Sequence, residues 1–170
     1  MLLQYEPHML DQIISGGQYG ADLGGLKAAE IFGIKTGGMA PKGWLTCRGP
    51  NPTLKHFNLV EHHNSTFTGR TVSNVINSDG TIIFASNTRS PGTVLTIKTC
   101  YHSDRPYLVV TDKLDISPEK IVSWIWSNNI RCLNVAGNRD FDGDYHEQLT
   151  IRYLSQVIPL LQMTESFEDK

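Results

Sequence analysis

The sequence predicts an α/β domain: a Rossmann-like, doubly wound, mainly parallel sheet with helices on both faces. Three observations carry this. Short β-rich runs alternate with helical stretches along the whole chain. The runs are continuously apolar, the pattern of strands buried on both faces. Glycine-rich or small polar turns follow the strands, where sheets of this type hold their ligands. The 170 residues suit a single domain over 1–170, with a polar tail expected to fray from about residue 164.

Asp11–Ser15 reads as the first strand, stopped by Gly16. Asp22–Phe32 reads as a helix whose apolar positions are Leu23, Leu26, Ala29 and Ile31, with Gly33 as its stop. Gly24-Gly25 lies inside it, at about 1 kcal/mol per glycine relative to alanine, so close packing or close ligand approach must offset the cost. Ile34–Thr36 reads as a weak second strand leading into Gly37-Gly38. Residues 41–58 hold Pro41, Gly43, Gly49, Pro50 and Pro52 and read as a long loop, of the kind that is usually functional. Arg70–Ser78 reads as a helix, and Asp79-Gly80 turns it into the strongest strand, Thr81–Ala85. Val94–His102 is the next helix and Tyr107–Thr111 the next strand. Ser117-Pro118-Glu119 opens a helix to about Asn128, with an N-cap hydroxyl, Pro at the first position and an acid in the first turn. Arg131–Ala136 is the last strand, and Tyr145–Leu161 the last helix.

Composition excludes several functions. The formal net charge is −2 and the cations are scattered, so no nucleic-acid footprint exists. No apolar run is long enough to span a bilayer, and Glu6, His8 and Asp11 occupy the place of a signal-peptide core. Cys47, Cys100 and Cys132 form neither a zinc spacing nor a disulfide framework, and suit buried or half-buried thiols in a cytoplasmic protein.

Four loops carry candidate chemistry. Gly16-Gly17-Gln18-Tyr19-Gly20 lets backbone approach a ligand, and the helix that follows points its N–H groups at a phosphate or carboxylate. Its spacing is neither the dinucleotide fingerprint nor a P-loop. Taken alone, it serves equally as a tight turn, with Asp22 capping the helix. In Pro41-Lys42-Gly43-Trp44 the lysine offers a point charge and the tryptophan a stacking face, although a solvated lysine beside a packed tryptophan fits as well. Ser90-Pro91-Gly92-Thr93 is a second anion nest or a plain N-cap. In Asn134–Arg139, with Gly137 as its turn, Arg139 forks onto a phosphate or makes an ordinary surface pair. Asp140, Asp142 and Asp144 read as a polar turn, His62-His63 as surface histidines, and no metal site is expected. No nucleophile signature is present.

In order, the motifs are Ile13–Leu26, Pro41-Lys42-Gly43, Arg70-Thr71 with Asn74-Val75, Ser78–Thr81, Gly92-Thr93 with Thr96, and Leu133–Gly137. Together they resemble the molybdenum cofactor carrier proteins of the SLOG superfamily, which includes the LOG enzymes and DprA. The resemblance spans roughly residues 11–162. It implies a homo-oligomer (dimer or tetramer) with a pocket for a nucleotide-derived or pterin-dinucleotide molecule, and it adds Thr71 and Asn74 to the binding candidates. Tyr19 stands where the carriers have threonine, Leu23 where they have arginine, and Ser90-Pro91-Gly92-Thr93 where they have a more glycine-rich turn. Ligand choice is expected to diverge there. The expected function is to carry or sequester a small phosphate-bearing molecule, the molybdenum cofactor or a nucleotide derivative, without turnover and without a required cofactor. LOG-type phosphoribohydrolases place a catalytic glutamate just after the turn matching Gly92-Thr93, whereas Val94–Lys98 holds no acid. A LOG-like hydrolase using Asp22, Asp79 or Asp104, and a sponge or sensor for a nucleotide second messenger, are the alternatives. Gly17→Val is expected to abolish binding and spare the fold.

Overall fold

In the computed structural model, which describes residues 10–113 and 115–163, the chain opens with strand β1 (Gln12–Ile14), helix α1 (Ala21–Ile31) and strand β2 (Lys35–Gly37). Short pieces follow: β3 (Met39–Ala40), a hairpin of β4 (Leu45–Thr46) and β5 (Gly49–Pro50), a 3-10 helix (Pro52–Phe57) and β6 (Val60–Glu61). Helix α2 (Phe67–Ile76), β7 (Gly80–Phe84), α3 (Pro91–His102), β8 (Tyr107–Val110), α4 (Pro118–Ser127), β9 (Cys132–Gly137) and α5 (Tyr145–Met163) complete it. The tail expected to fray from residue 164 lies outside the described residues.

The central sheet has the order β2-β1-β9-β7-β8, and every pairing in it is parallel. This is the doubly wound, Rossmann-like arrangement that the strand–helix alternation predicts. β9 is last in sequence and central in space, and it separates β1 from β7. Helix α5 packs on α1 and α4, while α3 packs on α2. Ile13, Ile82, Phe84, Leu133 and Val135 from the strands meet Leu149, Tyr153, Leu154 and Val157 of α5 in the main core.

Residues 41–58 depart from the expected structureless loop. Pro52 starts the 3-10 helix, which buries Leu54 and Phe57. These pack with Leu23, Leu26, Ala40 and Leu59 in a second apolar cluster, and Tyr19 and Trp44 lie against it. Apolar burial at three-residue spacing, invisible among the prolines and glycines, is what orders the segment. Helix α2 begins one turn earlier than expected, because the Thr66 side chain accepts the Gly69 N–H as its N-cap. The Ser117 cap of α4 forms as expected, accepting the Lys120 N–H at 3.3 Å.

The Gly24-Gly25 pair serves packing rather than a ligand. A Cβ on Gly25 would stand 2.6 Å from Val135 of β9, and one on Gly24 would stand 2.6 Å from the Glu147 carbonyl of α5. Omitting both side chains lets α1 sit tightly against the sheet and against α5. His62 is buried rather than on the surface: it stacks on His63 at 4.1 Å and accepts the Asn64 N–H at its Nδ1. Burial raises the pKa of the Cys100 thiol. Burial, with Asp79 and Asp11 nearby, pushes Cys132 up to about 11.

Candidate functional site

A cavity of about 470 Å³ opens at the carboxyl ends of β1, β7 and β9, between the first turns of α2 and α3. Its position follows the rule for open parallel sheets, and its volume suits a nucleotide-sized molecule.

One wall comes from the β1–α1 loop and α2. Gly16, Gln18, Asp22, Arg70, Thr71 and Asn74 line it. Arg70 Nη1 donates to Asp22 Oδ2 at 2.8 Å, with both side chains more than nine-tenths buried. The same carboxylate oxygen accepts the Gln18 N–H at 3.2 Å. Gly16 is required here because a Cβ would overlap the Arg70 guanidinium. Gln18 is held by its oxygen, which accepts the Tyr19 and Cys47 N–H groups. Its Nε2 is left buried with no hydrogen-bond partner among the described residues, and so is Arg70 Nε. Buried donors without partners are rare, and these two lie behind the cavity surface with almost no exposed area. Asn74 is already committed, bonding both polar groups of the Met39 backbone and tying α2 to β3. Thr71 Oγ1 donates to the Phe67 carbonyl.

A second wall comes from β7, β9, α3 and the start of α5. It includes Ser86, Asn87, Ser90, Gly92, Asn134, Gly137, Asn138, Arg139, Phe141 and His146. Gly137 ends β9 at φ 149° where a Cβ would overlap the Phe84 carbonyl, so only glycine allows the strands to meet this closely. Asn138 staples the wall: it accepts the Asn87 N–H at 2.8 Å and donates to the Asn87 carbonyl, Ser90 Oγ and Thr93 Oγ1. Arg139 lies over the rings of Phe67 and Phe141, 5.2 and 5.5 Å from their centroids. Phe141 is 71% exposed on the cavity rim. His146 lies between Ser86 and the buried Asp140.

The sequence candidates therefore divide. Gly16, Gln18, Asp22, Thr71, Asn74, Ser90, Gly92, Asn134, Gly137 and Arg139 line the cavity. Gly17, Tyr19, Gly20, Lys42, Gly43, Trp44 and Thr93 do not. Gly17, at φ 73°, faces Leu54 and Leu59, so a valine there would strain the backbone and crowd the second cluster instead of sparing the fold. The Tyr19 ring carries Arg48 at 4.2 Å. Trp44 packs against the second cluster with Lys55 over its face at 5.6 Å, and Gly43 N donates to the exposed Glu61. Thr93 is buried and spent on Ser90 and Asn138. Leucine at position 23 does not deprive the cavity of a cation, since Arg70 and Arg139 both line it.

Sequence reasoning missed Arg70 as a site residue, along with Ser86, Asn138, Phe141 and His146. Arg70 was visible inside a motif, and Ser86 follows the strongest strand at the end where ligands sit. The Asp140 carboxylate caps α5, and among the described residues there is no group of three or more His, Cys, Asp or Glu that could hold a metal ion. None of the described helices is long and apolar enough to cross a membrane.

A profile described as the circularly permutated YpsA SLOG family matches residues 13–158. The chain is also similar to a crystal structure of a proposed molybdenum carrier protein from Syntrophus aciditrophicus SB. That similarity has a TM-score of 0.79 at 34% identity, covering 92% of this chain and 99% of the other. No curated protein matches it.

Proposed function

This chain belongs to the circularly permuted YpsA family of SLOG proteins, and on that premise we propose that it holds a phosphate-bearing, nucleotide-like small molecule in the strand-end cavity. The observation that carries this reading is the cavity of about 470 Å³ at the carboxyl ends of the parallel strands, with Arg70 on its wall. Arg139 and the first turn of α3 supply further anion-binding groups, and Phe141 supplies an exposed ring for a base or a pterin. The solved relative is named a molybdenum carrier; in this reading the cargo is the molybdenum cofactor or a nucleotide derivative.

The glycosidic bond of such a ligand stays intact in this reading. Asp22, the one carboxylate on the cavity lining among the described residues, is committed to Arg70, and Val94–Lys98 after Gly92-Thr93 holds no acid. Incubation with nucleoside monophosphates is expected to release no free base on chromatography. Thermal melting with nucleoside monophosphates, cyclic nucleotides, ADP-ribose and molybdopterin is expected to reveal stabilisation by at least one of them. Stabilisation by none would overturn the reading. The homo-oligomer implied by the family resemblance is checked by light scattering of the purified protein.

A further inference from the structure

Asp140, His146 and Ser86 form an unbroken hydrogen-bonded line that ends in the cavity. Asp140 Oδ1 stands 2.8 Å from His146 Nδ1, and His146 Nε2 stands 2.7 Å from Ser86 Oγ. The Asp140 carboxylate also accepts the backbone N–H groups of His146 and Glu147 at 3.1 Å, so the first turn of α5 sets its position. A carboxylate accepts here, so Nδ1 carries a proton, and in the neutral imidazole Nε2 keeps its lone pair. Ser86 Oγ–H then donates to Nε2. This is the tautomer and the direction that a serine nucleophile needs. Exposure rises along the line: the Asp140 side chain is 4% exposed, His146 is 13% exposed, and Ser86 is open. Helix capping accounts for Asp140. It does not account for an exposed serine hydroxyl aligned on the far nitrogen of the imidazole.

We propose that this line is a catalytic relay that hydrolyses a carboxylic ester on the molecule seated in the cavity. Ser86 is the nucleophile, His146 the general base and acid, and Asp140 the positioning residue. The proposal rests on the ligand cavity described above and departs from binding without turnover. Ser86 Oγ bonds to the acyl carbon as its proton passes to His146 Nε2. The bond from that carbon to the ester oxygen breaks, and the alcohol leaves with the proton from Nε2. Water then attacks the acyl-serine and gives a proton to Nε2. The bond to Oγ breaks, Ser86 recovers its proton, and the products are one acid and one alcohol. Gly92 and the first turn of α3 border the same cavity, and the first N–H groups of a helix lack intrahelical partners, so they are available to a developing oxyanion. Arg70 and Arg139 remain to hold a phosphate elsewhere on the ligand. The reacting carbon is uncharged, as an alkoxide nucleophile prefers.

The test uses a fluorophosphonate probe and p-nitrophenyl acetate. Folded wild-type protein is expected to gain one adduct on Ser86 by intact mass and peptide mapping, and to release p-nitrophenol. Ser86→Ala, an exposed change that leaves folding alone, is expected to lose the adduct. His146→Gln is expected to slow both reactions by about 10²–10⁴-fold. Asp140→Asn is expected to lower kcat by about 10²-fold or more with KM unchanged, because the tautomer changes and the pocket does not. An adduct elsewhere, or equal labelling of Ser86→Ala, overturns the relay. So does no adduct on wild-type protein that nucleotides still stabilise, and that outcome leaves the binding reading standing. An adduct on Ser86 with no nucleotide stabilisation supports the relay and overturns the binding reading.

Discussion

The two walls of the cavity are built on opposite plans. The Arg70 wall is buried and ionic: two side chains over nine-tenths buried pair with each other, and two donors are left over. The Ser86 wall is partly open: a chain of hydroxyl, imidazole and amide groups anchored on a buried Asp140, with Arg139 beside it over the Phe67 and Phe141 rings. A buried ion pair is costly to leave half-made, so it holds one geometry and suits fixed recognition of an anion. An open relay can exchange a proton with whatever sits against it, and that suits reaction. One cavity thus separates holding from acting.

Arg70→Ala is the largest way to break this contrast. Asp22 would be left buried and uncompensated, so a loss of about 3–5 kcal/mol is expected in urea denaturation. Nucleotide stabilisation should vanish with it. Asp22→Ala combined with Arg70→Ala should cost less than the sum of the two single changes, since neither charge is then stranded. An additive double mutant would show that the two groups do not act as a pair. Serine labelling of folded Arg70→Ala should persist, because the relay wall does not use the guanidinium.

The plan of the sheet could be read from the sequence because parallel strands are apolar throughout. Thr81–Ala85 and Arg131–Ala136 announce themselves without any partner in view. The turns at their ends were visible for the same reason. Which side of a turn faces the cavity was not visible. Gly16 and Gln18 face it, whereas Gly17 and Tyr19 face the second cluster, and a loop has no period that would assign its faces. Arg70 gained its role from Gly16 and Asp22, which lie about fifty residues earlier in the chain. Ser86 and His146 are 60 residues apart, and only the neighbouring positions of β7 and the start of α5 bring them to 2.7 Å. The sequence offers Trp44 as a stacking face, inside a segment that reads as a long loop. The 3-10 helix turned that loop into a packed unit and left Phe141 on the rim instead.

Phe141→Ala gives a smaller effect that sharpens the contrast. The side chain is exposed, so stability should stay within about 0.5 kcal/mol of wild type. Loss of a stacking face should weaken the ligand by about 1–3 kcal/mol, or roughly 5–150-fold in Kd by calorimetry. Trp44→Ala should leave that Kd alone. The reverse result, a weak Trp44→Ala and a normal Phe141→Ala, would return the ring-binding role to the 41–58 segment.

The smallest effect concerns the thiols, which the relay requires to be bystanders. Cys132 begins β9, whose other end borders the cavity, and burial with Asp79 and Asp11 nearby holds its thiol at about 11. At pH 8 only about one molecule in a thousand then carries the thiolate, so iodoacetamide should modify Cys132 slowly in the native protein and quickly after unfolding. The sign of the linked stability follows. The folded pKa lies above the ordinary value, so the unfolded chain loses this proton first as pH rises. Stability from this group is present below the ordinary thiol range and is lost as pH climbs through it toward about 11. Comparing urea midpoints of the wild type and Cys132→Ser from pH 8 to 10.5 cancels the other titrating groups, and the wild type should lose more. Equal losses, or rapid native alkylation at Cys132, would mean that a reactive thiol exists in this sheet. Electrophile labelling would then have to be mapped to a residue before it counted for Ser86.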